Sequence, residues 1–294
     1  MLGTLMLAAA LVPQEAAGTG TVRVGGAPAQ AGERVRVAST VETRLAIVFT
    51  VAGAKLRDFE QIVRDVRSFE AGVATAAGGS VHVRADYGEC RSVRVDPSGE
   101  TTRALPVDSA HFLIARAPGA PADPARLTVQ ELDSARNEAG AVDAAVAAQV
   151  ERDVGELLLG GRFAPLLAGK ELAVGAPLDV PPAIAQAVLA GVLDGGTVKR
   201  FTLAPRAAGA DGDAVAFDAS LVVTMKEGDE MPVTSTFELA GAIELGRTHG
   251  RLVGLDLAGP IRFGGERDEG ATRIEVSGTG TLTWKYRADP VARK

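Results

Sequence analysis

The clearest signal along the chain is a two-residue alternation of apolar and polar positions, the pattern of strands that hide one face. It is strongest at the end. Leu282, Trp284 and Tyr286 share one side, and Thr281, Thr283, Lys285 and Arg287 share the other. From Val198 onward the pattern predicts five strands, Val198–Ala204, Ala214–Met225, Met231–Leu245, Arg251–Phe263 and Thr272–Tyr286. The turns between them are read at Asp211-Gly212-Asp213, Glu227-Gly228-Asp229, Thr248-His249-Gly250 and Gly264-Gly265-Glu266. Short turns between successive strands predict an antiparallel meander with one buried and one wetted side.

Before residue 135 the strands read shorter. Thr19–Val24 and Arg34–Ala38 alternate, and Arg44–Val51 is more continuously apolar and β-branched, as a central strand would be. Gly72–Thr75, Ser80–Tyr87, Arg91–Val95 and Ala110–Ala115 follow. They are punctuated by Ala77-Gly78-Gly79 and by Asp96-Pro97-Ser98-Gly99, and Pro118–Pro124 reads as a loop. One stretch fits two patterns. Leu56, Phe59, Ile62, Val63 and Val66 recur at helical spacing, yet Arg57–Val66 is also tenable as an extended strand. Two helices are predicted in the centre. Val142, Val146, Val150, Val154, Leu157 and Leu158 lie on one helical face before Gly160-Gly161, and a second helix runs from Pro182 to Leu193.

The expected architecture is therefore mainly β (α+β), a curved antiparallel sheet or open barrel with two or three helices packed on it. Four parts are read: a signal peptide at 1–18, an N-terminal β-rich part at 19–135, a helical segment at 136–196, and the C-terminal meander at 197–294. They are compatible with one domain.

The signal peptide rests on the apolar run Leu2–Val12, followed by Pro13 and the small residues Ala16, Ala17 and Gly18. The run is shorter than the roughly 20 residues a spanning helix needs, and no later segment is longer and apolar enough. It departs from the usual pattern in having no Lys or Arg before the apolar run. The expected location is extracytoplasmic, either periplasmic or secreted.

Composition narrows the candidate chemistry. Hydrophobic residues make up 46% of the 294, enough for a large core, while aromatic residues are only 4%, so that core rests on Val, Leu, Ala and Ile. The net charge of -6 and the lack of any Lys/Arg run argue against nucleic acid, which is held through a basic face. A single cysteine, Cys90, allows no intramolecular disulfide, and no neighbouring His would activate it as a nucleophile.

His82, His111 and His249 lack the close mutual spacing of zinc ligands and read as surface residues. No nucleophile elbow or phosphate-cradling loop is present. Gly18-Thr19-Gly20 and Gly278-Thr279-Gly280 lack the third glycine and the following helix of a dinucleotide site, and read as flexible points beside strands. Two acidic groups, Asp211, Asp213 and Asp218, and Glu227, Asp229 and Glu230, lack the fixed spacing of a calcium loop and read as turn residues.

The order of elements carries a resemblance. A helical stretch, then Gly169-Lys170-Glu171-Leu172-Ala173-Val174-Gly175, then a meander holding Gly250-Arg251-Leu252-Val253-Gly254-Leu255-Asp256-Leu257, resembles a group of uncharacterised exported bacterial β-rich proteins. In architecture the late strands are similar to lipoprotein-carrier open β-barrels, which implies a curved sheet over an apolar groove. Neither resemblance supplies catalytic, cofactor-binding or metal-binding residues. The leading functional expectation is a non-catalytic exported protein that binds a lipid or other apolar ligand, or another cell-envelope component. The alternatives are an exported hydrolase with a carboxylate-based site and a structural envelope scaffold.

Overall fold

Alternation in the stretch Arg34–Val51 does not stop between the two strands read there. Val35, Val37, Val41, Leu45, Ile47 and Phe49 fall on one side, and Arg34, Arg36, Thr40, Glu42 and Arg44 on the other. In the computed structural model this is one 18-residue strand, β2, and it pairs with an even longer strand, β3 (Ala54–Thr75). The structure describes residues 20–27, 30–75, 81–116, 127–133, 138–140, 142–159, 161–189, 193, 195–207, 212–228, 231–270 and 272–291. The expected leader, the turn at Ala77-Gly78-Gly79, the loop Pro118–Pro124 and the acidic residues Asp211, Asp229 and Glu230 lie outside them.

The other strands, in chain order, are β1 (Thr21–Arg23), β4 (Val81–Tyr87), β5 (Arg91–Asp96), β6 (Gly99–Ala104), β7 (His111–Arg116), β8 (Leu127–Asp133), β9 (Glu138–Gly140), β10 (Glu171–Ala173), β11 (Leu178–Asp179), β12 (Thr197–Pro205), β13 (Ala214–Glu227), β14 (Val233–Gly246), β15 (Leu252–Glu269) and β16 (Thr272–Pro290). Fourteen of the strands form a single sheet, in the order β11-β12-β13-β14-β15-β16-β2-β3-β4-β7-β8-β9, with the β5–β6 hairpin branching from β3. Every strand pairing in it is antiparallel. The end strands β9 and β11 do not meet, so the sheet is open and mainly β with three helices, α1 (Ala144–Leu159), α2 (Ala164–Leu167) and α3 (Pro182–Leu189).

The joint between β16 and β2 unites the late meander with the early strands, running from Ile274↔Val51 to Pro290↔Val35. Pairing places Val276, Leu282 and Trp284 of β16 opposite Phe49, Thr43 and Val41 of β2 on the inner face. Outside lies a wetted surface laced with ion pairs. Glu42 holds Arg44 and Arg64, Glu70 holds Arg34 and Arg36, and Arg287 bridges Glu244 and Asp289. Such exposed pairs contribute about 0–1 kcal/mol each, so the sheet is held by its apolar face and its backbone ladder.

Two covers close the inner face at different places. Over β12–β15, α2 and α3 bury Phe163, Leu167, Val188 and Leu189 against Phe201, Phe217, Leu221 and Ile243. Here the segment Glu171-Leu172-Ala173 of the glycine-flanked motif becomes β10 and pairs with β1. Over β4, β7 and β8, α1 buries Val150 and Val154 with Phe69, Val83, Tyr87 and Ile114. Asp143 starts α1 by accepting the backbone N–H of Ala145 at 2.9 Å, an N-cap. Tyr286 packs against both clusters and joins them.

The ladder between β14 and β15 has a local gap. A side chain at Gly259 would sit 1.9 Å from the Glu238 carbonyl oxygen, and one at Gly241 2.0 Å from that of Asp256. Next to them Pro260 has no N–H to give, and the register skips Glu238-Leu239 opposite Gly259-Pro260. The partner backbone approaches this closely only because glycine, with no Cβ, stands at each point of contact.

Leu56–Val66, which fits both patterns in the sequence, is strand. Two readings of the sequence are corrected. Gly264-Gly265-Glu266 is not a turn but the continuation of β15 to Glu269. Gly278-Thr279-Gly280 lies inside β16 instead of beside a strand. The helix from Pro182 is described to Leu189, and the backbone N–H of Leu193, which is buried in the core, donates to the Leu189 carbonyl at 3.0 Å.

Candidate functional site

The two covers leave one part of the inner face open. It lies toward the hairpin tips and is bounded by β2 and β3 on one side and by β13–β16 on the other. The concavity has a volume of about 810 Å³. Ile47, Phe49 and Phe59 form one wall, and Phe237, Ile261 and Phe263 the other. Each wall arises from strand alternation, since every one of these positions is an inner-face position in the register. Phe49 and Phe59 stack with ring centroids 6.2 Å apart, and the Arg57 guanidinium lies 4.9 Å above the Phe59 ring. Met225 and Met231 add flexible side chains at the far edge, suited to irregular apolar shapes. Ligand pockets for small molecules are typically about 300–1,000 Å³, so the concavity is of binding size.

Its polar side chains include Gln61, Asp65 and Arg94 on the β3 and β5 side, with Glu227 and Ser235 across from them. Asp65 stands opposite Val41 on β2 and Ser92 on β5, and its Oδ1 is buried with no hydrogen-bond partner. Arg94 lines the same wall but is held by Asp96, Nε to Oδ2 at 3.0 Å.

A second cavity, about 580 Å³, lies between α1 and the β14–β15 turn, with Val37, Phe69 and Tyr286 among its apolar lining. Arg251 is the single buried charged residue among the described ones, with 6% of its side chain exposed. Its Nη2 meets Glu33 Oε1 at 2.6 Å, while Nε and Nη1 have no partner. His249, read from the sequence as a surface residue, is half-buried beside it. Burial, and then the Arg251 charge, push the His249 imidazole down from its ordinary value. Its Nδ1 accepts the backbone N–H of Arg251 at 3.1 Å, which places the ring proton on Nε2.

Asp153 of α1 lines this second cavity and accepts the Tyr87 hydroxyl at 2.9 Å, with Arg67 at 4.0 Å. Burial drives its carboxyl above the usual range, Arg67 opposing, and drives the Tyr87 phenol up as well. The folded chain thus holds the Asp153 proton more tightly than the unfolded chain does. That contribution to stability is complete below the unfolded value and is lost as pH rises through the raised folded value. Asp153→Asn keeps an acceptor for Tyr87 and removes the charge. Urea unfolding at about pH 7 is expected to show the variant at least as stable as the parent, the difference closing near pH 4. A variant markedly less stable at neutral pH would mean that Arg67 outweighs burial.

Other residues singled out in the sequence do not assemble into a centre. Asp218 is ion-paired with Arg206, Nε to Oδ1 at 2.8 Å, on the outer face, while Glu227 closes β13 at the edge of the concavity. His111 Nδ1 lies 2.8 Å from Asp86, and His82 is half-buried mid-strand in β4. Cys90 is buried, its thiol donating to the Ser68 carbonyl at 3.7 Å, and burial pushes its pKa up, away from the reactive thiolate. Among the described residues no three His, Cys, Asp or Glu side chains gather as metal ligands, and no helix is long and apolar enough to cross a membrane. Sequence reading missed Asp65, Arg251 and Glu33, because a charge on or beside an alternating strand reads as solvent-facing until the elements packed on it are known.

No family model matches the chain, and no curated protein matches it. Among solved structures it is similar to lipovitellin, in a structure devoted to lipid–protein interactions, with a TM-score of 0.34 and 8% identity over 90% of this chain. The chain spans 26% of the length of that lipovitellin chain. It is also similar to the translocator domain of the autotransporter NalP from Neisseria meningitidis, with a TM-score of 0.16 and 11% identity, over 88% of this chain and 89% of that one. At these scores neither is a whole-fold match.

Proposed function

We propose that this protein is a non-catalytic, extracytoplasmic binding protein that takes an apolar ligand, a lipid or a molecule of similar character, into the open concavity of its sheet. The observation that carries this reading is the open concavity in the inner face. Its walls are built on Ile47, Phe49, Phe237, Ile261 and Phe263, of which Ile47, Phe237 and Ile261 are buried among their neighbours, and together they border a space of about 810 Å³. An apolar concavity of that size is where a small molecule typically binds. The compartment is supported by the apolar run Leu2–Val12 and the small residues after it.

Organic extraction of protein purified without detergent, followed by mass spectrometry, tests the reading. A co-purifying apolar molecule, or saturable enhancement of N-phenyl-1-naphthylamine fluorescence, is expected. Absence of both would overturn it.

A further inference from the structure

A groove that held only hydrocarbon would have no use for a carboxylate in its wall. Asp65 is such a carboxylate. Its place on the inner face is fixed by the register, opposite Val41 on one side and Ser92 on the other, and Val41 in turn stands opposite Trp284. Oδ1 is buried without a partner, and Asp65 makes no ion pair or hydrogen bond among the described residues. An ionised carboxylate only accepts hydrogen bonds, and desolvating it unpaired is costly. The neighbouring cation does not offset it, because Arg94 is already bound to Asp96. Glu227, at the opposite edge, adds a second negative charge. The concavity is therefore apolar along its walls and net negative, with the Asp65 carboxylate at the inner end. Along β2, eight residues separate the row of Val41 from the row of Phe49, about 26 Å of strand, room for an extended alkyl chain.

Resting on the binding reading above, we propose that the groove selects a long-chain amine, with its ammonium donating to Asp65 and its chain lying past Leu45 and Ile47 toward Phe49 and Phe263. The ammonium supplies both the charge and the donors that the carboxylate lacks, and the chain covers the open apolar walls. A fatty acid would set a second carboxylate against Asp65 and is disfavoured.

Isothermal titration with dodecylamine, dodecanol and dodecanoate, each below its micelle concentration, on the parent and on Asp65→Asn, tests this. The parent is expected to bind dodecylamine about tenfold or more tighter than dodecanoate, as a charge-assisted hydrogen bond implies. In Asp65→Asn that preference is expected to vanish while dodecanol binding stays unchanged. Asp65→Leu serves as a second variant should the first fold poorly, judged by circular dichroism. Equal binding of all three compounds by the parent would overturn the amine proposal and leave the groove reading standing. Failure of all three to bind would overturn both. A preference that survives loss of Asp65 would overturn the assignment to this residue.

Discussion

Glu33→Ala is expected to lower the stability of the folded protein by about 3–5 kcal/mol, read from the urea midpoint at neutral pH. Removal of an exposed ion-pair partner usually changes stability by about 1 kcal/mol or less, and the difference lies in where Arg251 sits. Its side chain is 6% exposed, and Glu33 is the one anion it meets among the described residues, at 2.6 Å. Glu33 also accepts the Gln30 backbone N–H at 3.1 Å, so the loop before β2 is tied to the β14–β15 turn through this carboxylate. Without Glu33 the guanidinium stays in the interior with no counter-charge, beside Nε and Nη1 atoms that already lack partners. His249 cannot take over, since protonating it would set a second cation against the first.

The same reasoning predicts an asymmetry. Arg251→Met removes the buried charge together with its two unsatisfied donors, and leaves Glu33, with 26% of its side chain exposed, to be hydrated. It is expected to cost much less than Glu33→Ala, and Glu33→Ala combined with Arg251→Met is expected to recover most of the loss. A Glu33→Ala variant within about 0.5 kcal/mol of the parent would show that water reaches Arg251 and that its burial costs little.

How far the fold is legible in the sequence depends on whether each strand hides one face or two. The late meander alternates cleanly because its outer face meets only water, so β12–β14 are predicted nearly to their ends, while β15 and β16 run on past their predicted ends to Glu269 and Pro290. β3 defeats the same test for two reasons. The register with β2 slips between Phe49 and Thr50, which pair with Arg57 and Lys55, so Leu56 is the extra residue of a bulge and stands 71% exposed. Past the bulge, Ile62 and Val66 on the outer face are half-buried, while Gln61 and Asp65 occupy inner positions. Apolar residues on both faces blur the period of two and imitate a helical one. Gly264-Gly265 misleads by composition, since glycines in an extended strand carry the same letters as a turn. The groove itself is not legible at all. It requires β16 to meet β2 across more than two hundred residues, and no local pattern encodes that contact.

Phe217→Ala and Phe49→Ala, one residue type in one sheet, are expected to separate stability from binding. Phe217 is fully buried under the α2–α3 cover, opposite Ile243 on β14. Its truncation leaves a cavity that a packed core fills only in part, at a cost of about 3–5 kcal/mol and a clear fall in Tm. Phe49 is half-buried on the open wall, and truncation there widens a space that solvent already reaches. Only its partial transfer from water is lost, about 1 kcal/mol, together with the stack on Phe59. For ligand binding the order reverses. Removal of Phe49 takes away part of the wall and is expected to weaken N-phenyl-1-naphthylamine binding, whereas Phe217→Ala, as long as it remains folded, keeps both walls intact. If Phe49→Ala proved as destabilising as Phe217→Ala, the concave face would be closed and packed in solution. The open groove, and the binding role built on it, would then fall together.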